Sequence, residues 1–597
     1  MKTRNSLFTL TTLLLVGVLG AACDDDDGTG IVDPPAAPTG VAASTSSDSV
    51  TVTWSAVADA TSYSVTLTTA GEADRTQAGV TGTSASFGGL TAGATYFAVV
   101  RAVNTNGTSA GSAGVAVTVT DPAANVVQVT GDILANTTWT SDKIWVLNQP
   151  VFVGTDCGAD GASAGCVEAT LTIEPGTTIL GRSDVPQGVR GAYLVVSRGS
   201  RLVADATSGE DRAPTADEVI VFTSDKPRGE RAREDWGGLI INGRAPTNTG
   251  DEAQGEGDSG FYGGPDVNDD SGILRGVRIE FAGDDVTPAD QLNGLALQSV
   301  GAGTTISYVQ IHYNKDDGIE PFGGTVSVDH LVVSGIGDDS VDGTDGYRGF
   351  MQFIVAQQRG EDADNGFEIS NNGDDGAATP KTTAVIANAT MIGASSARVT
   401  GDIGGAESST GLQFREGSNY RVLNSILTGF GVSGFCIRDA QTIVNANNRL
   451  AGEVDPTLTL RAEGLVIWNN GGATEGANFN ACGGGSTAAL NESFFNTAAF
   501  NNMVADPGFD ASAFNVGSQS SPPDFTVAAM PAGYTAADLA GIAFDATLVA
   551  PVDGRTLVAT DYAGAVAPGT AVGQAWYSGW TIWSATGTDS RPNHEGN

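Results

Sequence analysis

The chain has 597 residues, 81 of them Gly, and sets Lys+Arg 29 against Asp+Glu 69 for a formal net charge of −40. One hydrophobic core does not extend over such a length, so two or more domains are expected. So acidic a surface excludes nucleic acid and anionic lipid, which need a basic stripe, and leaves divalent cations and neutral glycans as ligands.

Lys2 and Arg4 precede an apolar run from Leu7 to Leu19, and Gly20-Ala21-Ala22 forms a small-residue cleavage site directly before Cys23. The run is short for a membrane span, and the pattern reads as an export signal over residues 1–22. Because Cys23 abuts that site and an Asp24–Asp27 and Gly/Pro linker follows to residue 35, the stretch resembles a bacterial lipoprotein signal. Gly20 departs from the Leu usual at that place. The resemblance implies lipidation of Cys23 and display at the bacterial envelope, at the outer membrane or cell surface, with the membrane met through the anchor alone. Five Cys are an odd number, and giving Cys23 to lipid leaves four for an oxidising compartment. Cys157 and Cys166 bracket a short Gly/Ala/Ser/Asp loop and are partners by proximity, which leaves Cys436 with Cys482; other connectivities stay open.

Residues 36–121 predict a small all-β sandwich. Val50-Thr51-Val52-Thr53-Trp54, Ser62 to Leu67 and Tyr96 to Val103 are β-rich, alternating runs between polar turns. Pro38-Thr39-Gly40-Val41, Trp54 ahead of Tyr63, Leu90 six residues before Tyr96, and Arg101-Ala102-Val103-Asn104 followed by Gly107-Thr108-Ser109 together resemble a fibronectin type III domain. Such a domain implies a spacer or glycan-proximal adaptor rather than an activity.

After Asp121-Pro122 the pattern changes to an internal repeat. Asp316, Asp317, Ile319 and Glu320 align with Asp338, Asp339, Val341 and Asp342 at 22 residues (338 − 316 = 22), and Val309 aligns with Leu331 in the same register. The phrase returns as Asp364-Asn365-Gly366-Phe367-Glu368 and, upstream, as Asn293-Gly294-Leu295-Ala296-Leu297. A period in the low twenties, with insertions at the turns, predicts a right-handed parallel β-helix over 125–490 in which each coil buries its apolar face on the next. Leu171 to Leu180 is aligned with Leu194 to Val203 at 23 residues (194 − 171 = 23), with Gly176 and Gly199 coincident. Val219 to Thr223 and Trp236 to Ile241 are read as the next faces. Asn388, Asn424 and Asn469 are expected at left-handed turn positions.

Periodicity fades from Asn491, so 491–597 is taken as a C-terminal extension whose aromatic end, Trp576 to Trp583, is a candidate terminal cap. The three Trp there offer a glycan platform as the alternative. Ile173-Glu174-Pro175-Gly176, Phe222-Thr223-Ser224-Asp225, Asp235-Trp236-Gly237-Gly238, Asp316-Asp317-Gly318 and Tyr577-x-x-Trp580 resemble a group of bacterial surface lipoproteins with pectate-lyase-like β-helices. That resemblance implies fold and location and carries no established activity.

The dense chemical feature is the set of acidic turns. Stacked coils place Asp316, Asp317 and Glu320 over Asp338, Asp339 and Asp342, about 5 Å apart along the axis. Their repulsion is relieved by a cation with oxygen ligands, and these six residues are the candidate Ca²⁺ ligands. The bland alternative is turn-capping Asp side chains in solvent. The function read from these features is a non-catalytic envelope protein that binds an extracellular glycan or another envelope protein. The competing reading is a carbohydrate-active enzyme, a polysaccharide lyase or glycoside hydrolase, with Asp339 and Arg348 as its catalytic pair. His312, inside a β-run, argues against hydrolase geometry, as does the lack of a Gly-His-Gly or Arg-x-Lys triplet after the acidic pairs. No nucleotide loop or metalloprotease motif is present.

Overall fold

The structure, a computed structural model, describes residues 33–46, 49–91, 93–119, 125–184, 191–287, 290–359, 363–394, 400–401, 409–452, 460–471, 477–517, 521–540, 542 and 549–593. Cys23 and the whole export signal lie outside the described residues. The chain divides into two compact units, Met1–Asp121 and Pro122–Asn597.

The first unit is an antiparallel sandwich. Ala42–Ser46, Ser49–Thr53 and Ser84–Phe87 form one sheet, and Arg75–Val80, Ser62–Thr68 and Thr95–Asn104 lie side by side in the other. Period-two alternation sends Tyr63, Val65 and Leu67 into the core with Trp54, whose ring meets Tyr63 edge-on at 5.2 Å. Tyr96 makes the expected corner: its hydroxyl accepts the Thr91 N–H at 3.1 Å and donates to Glu72 at 2.8 Å.

The second unit is a parallel β-helix. Among the described residues its strands form a wide sheet of 17 and a narrow sheet of nine. The chain visits them in turn: Thr305–His312 is wide, Ile319–Phe322 narrow, Ser327–Ser334 wide, Val341–Gly343 narrow and Phe350–Gln357 wide. Leu331 stands on Val309 and Val341 on Ile319, the registers that the 22-residue repeat predicts.

The N-terminal alignment needs correction. Leu171 stands on Leu202, whereas Leu194 belongs to the narrow sheet between Val151 and Leu239. Both faces of one coil carry the same alternation and the same Gly turn (φ 82° at Gly176, 90° at Gly199), so the sequence matched two different faces.

The long wide strands bend at one residue each. Gly276, Tyr308, His330, Phe353 and Asn388 all take φ of 52–69° at stacked positions. That kink slips the alternation by one, so Ile306, Val309 and Ile311 all point inward, as do Val328, Leu331 and Val333. Three bulky residues in this region are unusual. Their rings stack, Tyr308 on His330 at 4.3 Å and His330 on Phe353 at 4.9 Å. Asn424 and Asn469 are left-handed like Asn388, at φ 47° and 50°, as the sequence predicts.

Stacking continues past residue 490, since Met503–Val504 stands on Val466–Trp468. Helix Ala488–Phe495 packs Phe494 and Phe495 on Phe435 of the last narrow strand, so this helix covers that end. The aromatic tail is not the cap. The described residues of 505–593 run along the outer face of the wide sheet as a strap; of the three Trp, Trp580 and Trp583 are 1% and 2% exposed and Trp576 is half-buried, its Nε1 donating to the Ala565 carbonyl at 3.0 Å, so they do not form the expected glycan platform. The strap supplies backbone partners to outward polar side chains: Gln310 to Ile582, His312 to Ser584, Gln352 to Val558 and Asn424 to Ala537. Cys157–Cys166 and Cys436–Cys482 are both disulfides, with Cα–Cα distances of 5.1 and 6.3 Å.

Candidate functional site: an acidic ladder on the narrow sheet

Successive narrow strands place Ala296, Glu320, Asp342, Glu368 and Gln413 in one outward column, while Leu295, Ile319, Val341, Phe367 and Leu412 fill the inward one. The β period of two makes these columns alternate, which is why an acidic stripe lies beside a core of Ile, Val and Phe. The turn ahead of each strand adds a second column. Asp317 Oδ1 accepts the Asp339 backbone N–H at 2.9 Å, and Asp339 Oδ1 accepts the N–H of Asn365.

Together the columns bring carboxylate oxygens within 4.8 Å of one another in four linked groups. These are Asp316, Asp317 and Asp338; Asp317, Glu320 and Asp342; Asp338, Asp339 and Asp364; and Asp339, Asp342 and Glu368. All six expected ligands are in the ladder, joined by Asp364 and Glu368. Asp317, Glu320 and Asp339 are buried, at 7%, 7% and 4% exposure. Burial drives the Asp317, Glu320, Asp339 and Asp342 carboxyls well above the usual range, and neighbouring carboxylates push the same way.

Polar neighbours hold the ladder's edges. Asn293 Nδ2 donates to Glu320 at 2.6 Å and to Glu256 at 2.9 Å. Asn365 Nδ2 donates to Glu368 at 2.9 Å, and Gln413 Nε2 to Asn365 Oδ1 at 2.9 Å. Arg415 engages one end of the ladder, on Glu368 and, at 2.6 Å, on Glu416. Burial works against its charge, and Glu368 with Glu416 outweighs this and raises the guanidinium above its ordinary value. Arg348 is elsewhere, past the far end of strand Val341–Gly343. Its N–H bonds Gly324, its carbonyl accepts from Val549, and burial lowers its guanidinium. The structure therefore does not pair Asp339 with Arg348. Sequence reasoning missed Arg415, Asn293 and Gln413, which become visible only once register aligns Glu320, Asp342, Glu368 and Gln413.

The sequence profile of the pectate-lyase like beta helix domain matches residues 131–487. The chain belongs to this pectate-lyase-like β-helix family. Residues 36–118 match the fibronectin type III domain. The family match ends at the start of helix Ala488–Phe495, and the strap lies beyond it. Among solved structures, the FN5 domain of Drosophila Lar is 22% identical over 14% of this chain and 97% of that one, with a TM-score of 0.14. An Fn3-like protein from Clostridium thermocellum is 30% identical over 14% of this chain and 90% of that one, with a TM-score of 0.13. No curated protein matches the chain.

Proposed function

We propose that this pectate-lyase-like β-helix protein is a non-catalytic, lipid-anchored envelope protein whose acidic ladder holds Ca²⁺ and whose β-helix binds an extracellular glycan. A fibronectin type III domain joined to a β-helix is the architecture of a surface or carbohydrate-related protein. The observation that carries the calcium reading is the ladder itself: buried carboxylates within 4.8 Å of one another in adjoining coils.

The donor set fits the ion. Every group offers hard carboxylate oxygens and neither His nor Cys, which suits Ca²⁺ and not zinc. Asp342 Oδ1 is buried without a hydrogen-bond partner among the described residues, an oxygen that a cation satisfies. Asp317, Glu320, Asp339 and Asp342 would hold the ion, with Asp316, Asp338 and Glu368 completing neighbouring groups. The ion would add positive charge beside Asp317, Glu320 and Asp339, whose carboxyls crowd one another. Asn293 and Asn365 orient the ladder's outer carboxylates.

The test is a panel of polyuronates and neutral glycans, read for binding and for new ultraviolet-absorbing unsaturated ends, with Ca²⁺ and with EDTA. Calcium-dependent binding without products is expected. Product formation lost on Asp339→Ala or Arg348→Ala would replace this reading with the lyase.

A further inference from the structure

Among the described residues two aromatic side chains are exposed, Phe97 in the sandwich and Phe261 in the β-helix. A single exposed ring is ordinary on a protein surface, but Phe261 borders a cleft. It is 44% exposed in a small hairpin, Ala253–Gln254 paired antiparallel with Phe261–Tyr262, inside the insertion that follows narrow strand Gly238–Asn242. The narrow sheet holds that insertion firmly. The Tyr193 hydroxyl donates to the Gly257 carbonyl at 2.9 Å, Asn242 Nδ2 to the Ser259 carbonyl at 2.7 Å, and Arg198 to the Asp251 carbonyl at 2.8 Å. A loop fixed on a rigid scaffold in this way presents its side chains without an ordering cost at binding.

The cleft, about 230 Å³, is lined by Phe152, Phe261, Asp132, Thr155, Ser197 and Asn242 among others. Ser197 and Asn242 follow Val196 and Ile241, which stand on each other in adjoining coils, so the floor is a polar row on the outward face of the sheet. Asn242 Oδ1 is buried with no hydrogen-bond partner among the described residues, an acceptor that a ligand hydroxyl satisfies. Thr155 Oγ1 accepts the Val167 N–H at 2.8 Å, which leaves its hydroxyl proton to donate. The local charge disfavours an anion. Arg198, fully buried, meets Asp156 at 2.6 Å and Glu252 at 3.0 Å, and Asp132 adds a carboxylate beyond that pairing.

We propose, building on the glycan-binding function given to this β-helix, that the cleft seats one neutral pyranose of an extracellular polysaccharide. A pyranose has a face of C–H bonds and a rim of hydroxyls, which suits aromatic side chains set beside a few fixed polar groups. Phe261 takes the C–H face with Phe152 beside it, Asn242 Oδ1 accepts from one hydroxyl and Thr155 donates to another. Uronate and sulfated sugars are refused by the surplus carboxylate.

The test is calorimetric titration of the full chain, in Ca²⁺ throughout, with cellotetraose, mannotetraose, xylotetraose and galactotetraose, and with tetragalacturonate as the acidic counterpart. Saturable binding of a neutral tetrasaccharide is expected. Phe261→Ala weakens it about tenfold, the usual scale for truncating a central aromatic contact. Phe261→Trp retains it, and Phe97→Ala, on the sandwich, leaves it unchanged. The exposed position of Phe261 keeps the melting temperature of its variants at that of the parent. Neutral-sugar binding that Phe261→Ala leaves intact, or that Phe97→Ala removes, overturns the cleft while the glycan-binding function stands. Binding of tetragalacturonate alone does the same. No binding of any of the five overturns both.

Discussion

Asp317 Oδ1 accepts the backbone N–H of Asp339 at 2.9 Å, so each turn carboxylate anchors the next coil while contributing to the ladder. A ligand that binds only this stacked arrangement stabilises the folded chain by RT ln(1 + [L]/Kd), about 2.7 kcal/mol at a hundredfold excess. Added Ca²⁺ therefore raises the Tm and EDTA lowers it. Asp342→Asn abolishes that shift and raises stability in EDTA, because it removes a buried charge with an unsatisfied oxygen. Identical melting in Ca²⁺ and EDTA would leave the acidic turns as hydrogen-bonding groups only.

The same carboxyls set a pH dependence. Burial raises Asp317, Glu320, Asp339 and Asp342 above their unfolded values, so the folded chain keeps protons that the unfolded chain has released. Their contribution is complete below about pH 4, the ordinary carboxylate range, and is lost as pH rises through the folded values. In EDTA, stability falls as pH climbs above this range, whereas saturating Ca²⁺, which takes the deprotonated set, flattens or inverts the slope. His312 has the opposite sign. Burial lowers its imidazole, so its contribution is lost as pH falls below the ordinary His range. Urea titrations across pH on Asp342→Asn and His312→Gln separate the two, and an EDTA slope unaltered by Asp342→Asn counts against the ladder's role.

The two disulfides differ in the loops they close, with sequence separations of 9 and 46. Loop-closure entropy gives about 2.6 kcal/mol for the shorter and about 4 kcal/mol for the longer. Paired Cys→Ser variants measured by chemical denaturation should rank in that order, Cys436/Cys482 losing more. Equal losses would mean that local packing, not chain entropy, sets the effect.

Lipidation is proposed for Cys23 on its place beside the small-residue site. Cys23→Ser should move the protein from the membrane fraction to the soluble exported fraction. Unchanged membrane partition in that variant removes the lipid anchor from the account.

Much of this architecture is legible in the sequence because a stacked coil repeats its own chemistry. Asp316–Glu320 over Asp338–Asp342 gives both the period and the true register, since no insertion separates those coils. Leu171 misleads for the complementary reason: each coil has two apolar faces with the same alternation, and an insertion hides which one lies above. Arg415 is invisible for a third reason. It reaches Glu368 from 47 residues away, across a stretch of irregular length, so no fixed spacing announces it (415 − 368 = 47). The strap has no repeat, because it meets the sheet through single contacts of both kinds, backbone carbonyls such as that of Ile582 on Gln310 and side chains such as Arg555 on Asp329.

The strap's contribution is measurable at Trp580. Its side chain packs against Val219, Val221 and Tyr308, and its carbonyl accepts from Arg278 Nη1 at 2.6 Å. Ser590 Oγ accepts from Arg231 at 2.7 Å and donates to Glu280, which is itself fully buried. Removing the indole leaves a cavity on the wide sheet and costs about 3–5 kcal/mol, while Ser590→Ala, which takes a hydrogen-bond partner from both Arg231 and Glu280, costs about 1–3 kcal/mol. Small apolar clusters and single hydrogen bonds join the strap to the sheet where a continuous ladder joins the coils, so the strap opens before the coils do. Limited proteolysis in rising urea should cut within 505–593 ahead of the main transition, and Trp580→Ala should bring that cleavage to lower urea. Cleavage simultaneous with coil unfolding in both proteins would show the strap and the β-helix to be one cooperative unit.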